Sequence, residues 1–255
     1  MSEPRVYFVG AGPGAADLLT LRAIRVLARA SFVLHDALVE PAVLKLAPSA
    51  TRIAVGKRAQ RPSTAQRFIN KMLVDCARKA ACVVRLKGGD PSIFGRLDEE
   101  MNALRAAGIA FEVVPGITAA SAAAAELQAS LTLRGVARAV TFMTPCVCDV
   151  HDDATWTPAI NSLRAGGSLG VYMAGRHIAS TAQRLIDSGL VAPTPIAVLQ
   201  SVSLADARQW VGTLATAAAT PPSVGSGPVM LLIGEALRGA LERSTERGAA
   251  LARAA

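Results

Sequence analysis

Arg85-Leu86-Lys87-Gly88-Gly89-Asp90-Pro91-Ser92-Ile93-Phe94-Gly95-Arg96 is the stretch on which the rest of the chain is organised. A β-branched run at residues 82–84 carries the backbone into it and reads as a buried strand. Gly88-Gly89-Asp90-Pro91 then breaks the strand. Two adjacent glycines let backbone amides approach a ligand closely and permit φ > 0. Pro91 fixes its own φ and removes a donor, which stiffens the loop. Three basic residues (Arg85, Lys87, Arg96) and one carboxylate crowd this turn beside the apolar pair Ile93-Phe94. That density of glycine and charge is uncommon in a plain strand-ending turn.

A second glycine loop lies upstream. Residues 6–9 form an apolar strand that runs into Gly10-Ala11-Gly12-Pro13-Gly14, and residues 31–35 form the next strand, ending at Asp36. Between them Leu18, Leu21, Ile24, Val26 and Leu27 follow helical spacing, with Asp17 as the expected cap. This β-loop-α-β order predicts a largely parallel sheet, whose ligands bind beyond the carboxyl ends of the strands. Gly10-x-Gly12-x-x-Ala15 with Asp36 also matches a dinucleotide fingerprint. Pro13 argues against that reading, because it removes a backbone donor from the loop that would cradle a pyrophosphate.

Further along, residues 51–55 read as a brief strand leading into Gly56-Lys57-Arg58. Residues 63–79 read as a helix capped by Ser63 or Thr64, residues 99–107 as a helix, and residues 111–114 as a strand ending at Pro115-Gly116. The domain boundary is placed there, giving an N-terminal α/β domain over residues 1–115 and a C-terminal one over 116–255. In the second, residues 117–127 read as a small-residue helix, residues 180–187 and 236–255 as helices, and residues 146–158 as an acidic loop. Strands are expected at residues 139–144, 169–173, 195–199, 209–214 and 228–234.

The chain has 255 residues, 51% of them hydrophobic but only 4% aromatic, so its cores must be aliphatic and alanine-rich. The most apolar stretch, residues 117–131, is too short to cross a bilayer, and no signal peptide is read at the start. A cytoplasmic location is expected. The net charge of +8 raises nucleic acid as a partner, but the basic residues are dispersed and aromatics are few. A small polyanionic substrate fits at least as well. Cys146-Val147-Cys148 with His151 lacks the second ligand pair of a structural zinc site, so no metal is expected.

Taken together, the chain resembles the tetrapyrrole (corrin/porphyrin) methylases, in particular the branch that methylates uroporphyrinogen III. The resemblance rests on Gly10-Ala11-Gly12-Pro13-Gly14 with Leu18-Leu19-Thr20, on Val55-Gly56-Lys57-Arg58, on the Arg85–Arg96 stretch, and on Val114-Pro115-Gly116-Ile117-Thr118-Ala119-Ala120-Ser121. It implies two α/β domains, each a mixed, largely parallel sheet flanked by helices, with the active site in the cleft between them, in a homodimer. It implies S-adenosylmethionine as cofactor, held by Pro13, Gly88, Gly89, Asp90, Ile93, Thr118, Ala119, Met173 and Val202. The implied reaction is C-methylation of uroporphyrinogen III at C2 and C7 toward precorrin-2, feeding sirohaem, cobalamin or haem d1. The implied catalytic residues are Asp36 as the base, Lys57 as a proton donor and Arg96, and Arg85, Arg96 and Arg134, with Glu99, are the contacts for a polycarboxylate macrocycle. The chain departs from the family pattern at Ala15, Leu97-Asp98, Leu133, Pro145-Cys146 and Gln200 to Ser203, where Val202 replaces a glycine. Those departures keep two alternatives open: a later precorrin as substrate, or a cofactor-binding paralogue without turnover.

Overall fold

Short apolar runs alternate with amphipathic segments, and in the computed structural model, which describes residues 6–56, 66–145 and 153–254, these become strands and helices of two separate sheets. The chain divides into two compact units, residues 1–119 and 120–255.

The first unit holds β1 (Val6–Gly10), β2 (Phe32–His35), β3 (Thr51–Ala54), β4 (Val83–Lys87) and β5 (Phe111–Val114). Their order is β3-β2-β4-β1-β5, and every pairing is parallel. Parallel sheets need crossovers, and those helices cover both faces, so β1 and the start of β4 are apolar runs rather than alternating. Helices α1 (Leu21–Ala28) and α2 (Pro41–Leu44) bury Ala23, Val26, Leu27 and Val43 against Tyr7, Val9, Val33, Val84 and Leu86. Helices α3 (Gln66–Lys79) and α4 (Leu97–Ala106) bury Ile69, Leu73, Cys76 and Leu104 against Val6, Phe8, Leu34 and Val83. Side chains alternate along a strand. Arg85 and Lys87 therefore share the face of Val83, and that face is a buried one.

The second unit holds β6 (Val140–Met143), β7 (Ser168–Tyr172), β8 (Pro195–Gln200), β9 (Arg208–Thr213) and β10 (Val229–Ile233), ordered β6-β7-β10-β8-β9. Its sheet is mixed. Only β6 and β7 run parallel, while β7–β10, β10–β8 and β8–β9 are antiparallel. The parallel bias expected of both sheets thus belongs to the first. Helices α5 (Ala119–Glu126), α6 (Asp153–Arg164), α7 (Ile178–Asp187), α8 (Leu214–Ala219) and α9 (Arg238–Ala254) complete the chain. Trp156, Leu163, Leu169, Val171, Leu185, Ile196 and Leu231 form one cluster of its core.

Three local expectations are corrected. Asp17 sits in a single 3-10 turn, Ala16–Leu18, and the cap of α1 is Thr20, whose Oγ1 accepts from the Ala23 amide at 3.1 Å. Residues 153–158, expected as loop, belong to α6 despite Pro158, because Trp156, Ala159 and Leu163 recur at helical spacing and are buried. The earlier part of that segment, including Cys146 and Cys148, lies outside the described residues, as do Ser63 and Thr64. Helix α8 was not anticipated; Thr213 caps it in a reciprocal box with Thr216. None of the described helices is long and apolar enough to cross a membrane.

Candidate functional site: three glycine loops and a buried ion network

The carboxyl ends of β1, β4 and β5 carry three loops that meet backbone to backbone. The Gly12 amide donates to the Gly89 carbonyl at 3.2 Å, the Gly89 amide returns the bond to Gly12 at 2.7 Å, and the Ala11 amide donates to the Lys87 carbonyl at 2.7 Å. A Cβ on Gly116 would stand 2.3 Å from the Gly89 oxygen and 2.8 Å from the Gly10 Cα, so no side chain fits there. Gly12 and Gly89 hold φ of 71° and 65°, where an L side chain is strained. This explains why the dinucleotide reading fails. The loop amides at Ala11 and Gly12 are already paired, and β1 leads into a 3-10 turn rather than a helix N-terminus.

Asp90 clamps the diglycine loop. One carboxylate oxygen accepts from the Ser92 amide at 2.8 Å and from the Ser92 hydroxyl, and the other accepts from the Gly116 amide at 2.9 Å. Gly88 differs from its neighbours, since nothing lies within 4 Å of where its Cβ would be. Beside this open position, the Thr118 Cα comes within 3.9 Å of a Cβ built on Gly89, and Ala119 opens α5. Exposed backbone, a fixed carboxylate and small side chains suit a cofactor gripped largely through main-chain groups. The residues present therefore fit an adenosyl group. Pro13 and Ile93, half-buried, flank these loops.

On the face toward α4, four charged side chains form one network. Arg85, 3% exposed, donates from Nε to Glu100 Oε1 at 2.9 Å, from Nη1 to the Leu86 carbonyl at 3.1 Å, and from Nη2 to Asp36 Oδ1 at 2.6 Å. Lys87, 2% exposed, donates from Nζ to Glu100 Oε2 at 2.8 Å. Burial pushes the Lys87 amine below the usual lysine range; neighbouring Arg85 adds to the effect and Glu100 opposes it. Asp36 is the one open end of the network, its side chain 31% exposed just past β2. Its backbone is seated on Gly56, where a Cβ would lie 2.0 Å from the Ala37 nitrogen.

The sequence-derived candidates fall into two groups. Pro13, Asp36, Gly88, Gly89, Asp90, Ile93, Thr118 and Ala119 all belong to the first unit, at or just beyond strand ends. Arg85, expected to meet substrate, is instead buried with its donors engaged inside the protein. The reason is its register on β4: it faces the helix layer and not solvent. Arg96 and Glu99 are exposed and pair with each other, Nε to Oε1 at 2.7 Å and Nη2 to Oε2 at 2.8 Å. That bond is the main reason the Glu99 carboxyl lies below its usual range. Phe94 and Arg96 both have positive φ, 52° and 54°. Lys57 lies outside the described residues.

In the second unit Met173 directly follows β7 at φ 58° and is 66% exposed, so it is not a core methionine. Val202 is buried between Ser201 and Ser203, both at positive φ. Arg134 is exposed in the tight turn closed by Leu133 and Ala137. Sequence reasoning missed Glu100. The available signal was two cations at alternate positions of a strand whose neighbour on that face is Val83, which demands a buried counter-charge.

Comparison with known proteins gives the family. The family model for Tetrapyrrole (Corrin/Porphyrin) Methylases matches residues 5–218. A siroheme synthase of Azotobacter vinelandii is 44% identical over 235 residues, covering 91% of this chain and 50% of that protein. One from Chromobacterium violaceum is 43% identical over 232 residues, covering 90% and 49%. The chain thus spans about half the length of these curated relatives. The crystal structure of a uroporphyrin III C-methyl transferase from Thermus thermophilus superposes with a TM-score of 0.78 at 33% identity, covering 92% of this chain and 99% of that one. The same Thermus enzyme has also been solved in complex with S-adenyl homocysteine. With a family model matched over most of its length, and relatives and a solved structure similar across nine-tenths of it, the chain belongs to the tetrapyrrole (corrin/porphyrin) methylases.

Proposed function

We propose that the chain is an S-adenosylmethionine-dependent methyltransferase that methylates uroporphyrinogen III at C2 and C7, giving precorrin-2 by way of precorrin-1. The observation that carries the reading is Asp36, a carboxylate at a strand end with one oxygen fixed by a buried guanidinium and the side chain still partly open. The cofactor supplies a methyl group on a sulfonium, which an electron-rich ring carbon can attack directly. The protein's main task is then to hold the reactants in line.

Pro13, Gly88, Gly89, Asp90, Ile93, Thr118, Ala119, Met173 and Val202 are the residues proposed to hold the cofactor. Gly88 and Gly89 offer backbone without side chains, Asp90 keeps their loop in place, and Met173 offers a soft apolar surface. The methylated carbon bears no hydrogen, so the positive charge left on the ring system is relieved when Asp36 removes a proton from elsewhere on the macrocycle, a ring nitrogen or bridging methylene, with Lys57 as donor at another ring position. Arg96, steadied by Glu99, and Arg134 pair with substrate carboxylates. Arg85 is assigned to Asp36 rather than to the macrocycle, since its donors already have partners. A homodimer is part of the proposal.

The identity to the Thermus enzyme, 33%, favours uroporphyrinogen III over a later precorrin, because a cobalt precorrin-4 methyltransferase matches at 25% with the same TM-score of 0.78. The test is anaerobic incubation with labelled S-adenosylmethionine and uroporphyrinogen III, followed by mass analysis of the macrocycle. A product with two added methyl groups is expected. A cofactor-bound protein that leaves the macrocycle unmodified would support the non-catalytic paralogue instead.

A further inference from the structure

Glu100 is a buried carboxylate that the reaction above does not use. It lies in the first turn of α4, 1% exposed, and both oxygens are engaged. Oε1 accepts from Arg85 Nε at 2.9 Å and from Gln66 Nε2 at 3.2 Å, and Oε2 accepts from Lys87 Nζ at 2.8 Å. Stability alone does not account for it, since buried ion networks are often no more stable than apolar replacements of similar volume. What Glu100 does accomplish is geometric. A guanidinium is planar and rigid, so holding Nε fixes the direction in which Nη2 points. Arg85 Nη2 points at Asp36 Oδ1, 2.6 Å away.

We infer that Glu100 is a positioning residue for methyl transfer: through Arg85 it sets the orientation of the Asp36 carboxylate, with Lys87 as its counter-charge. The inference rests on the reading of Asp36 as the base. Lys87 has a second use, because a Cβ on Gly95 would lie 3.0 Å from the Lys87 Cε and 2.5 Å from the Pro91 oxygen. The loop that follows the diglycine bend is thus packed over the same ion network.

Two double variants of equal charge separate positioning from structure. Glu100→Leu with Lys87→Met removes the acceptor for Arg85 Nε, and Glu100→Gln with Lys87→Met keeps an acceptor. Both leave Arg85 and Asp36 as a balanced pair, and Glu100→Met is the unbranched substitute if the Leu variant does not fold. The Leu pair is expected to lose roughly 10- to 100-fold in kcat with KM for both substrates within about twofold. The Gln pair is expected to stay within about threefold of the wild-type kcat. Equal kcat in the two, or a Leu pair altered only in unfolding midpoint, overturns the inference. Asp36→Asn, assayed alongside, keeps the two failures apart. Wild-type turnover by that variant overturns the base reading and this inference with it. An inactive Asp36→Asn beside two equal double variants overturns the Glu100 inference alone.

Discussion

At Gly116 the fit is between backbones. A methyl group there would press on the Gly89 carbonyl and the Gly10 Cα, neither of which is the end of a flexible side chain. Gly116→Ala is expected to lower unfolding free energy by about 1–3 kcal/mol in urea titrations. Gly88→Ala is the matched control, since its Cβ would meet nothing. Its stability should stay within about 0.5 kcal/mol of wild type while calorimetry shows weaker S-adenosylmethionine binding. Unchanged affinity would show that the cofactor does not lie over Gly88.

Lys87 gives a second residue-scale prediction. Burial and Arg85 hold its amine below the usual lysine value, so the folded chain binds that proton less tightly than the unfolded chain. Between the lowered value and about 10.4 the unfolded state carries more protons, and stability contributed through Lys87 must rise with pH. Below that window the penalty is present in full and constant. The difference in unfolding free energy between wild type and Lys87→Met, measured across alkaline pH, should show this rise. A flat difference would mean that the amine titrates normally.

Among the elements, those buried on both faces were the most legible. Residues 6–9 and 82–84 are unbroken apolar runs because β1 and β4 are covered on both sides. Arg85 was harder to read. A cation near a glycine turn reads as solvated, and only the register of β4 under α4 shows that it is buried. Its partner Glu100 lies 15 residues on, in another element, so the two cations on β4 signal that a counter-charge exists without saying which residue supplies it. The antiparallel pair β8–β9 did carry a signal, because the connection over residues 201–207 is too short for a parallel crossover. Helix α6 was hidden by Pro158 and by acidic composition, which outweighed the spacing of its buried residues. Pro158 is exposed and leaves one helical bond unmade. Pro158→Ala should therefore raise stability by about 1–3 kcal/mol, seen as a higher thermal midpoint. A lower midpoint would mean that the proline's restriction of the unfolded chain outweighs the restored bond.

For the molecule as a whole, the α/β class and the strand ends of the first unit that bear Asp36, Gly88, Gly89 and Asp90 were readable from the sequence, because a parallel sheet places its loops on one edge. The net charge of +8 acquires a use if the substrate is a polycarboxylate macrocycle. The central claim is that a carboxylate steered from inside the protein completes the methyl transfer that the glycine loops set up. Single-turnover methyl transfer to uroporphyrinogen III by wild type and Asp36→Asn, with S-adenosylmethionine binding measured on both, tests it most directly. The account predicts equal cofactor affinity and a fall of roughly 100-fold or more in the rate of product formation for Asp36→Asn. Equal rates in the two proteins would contradict it.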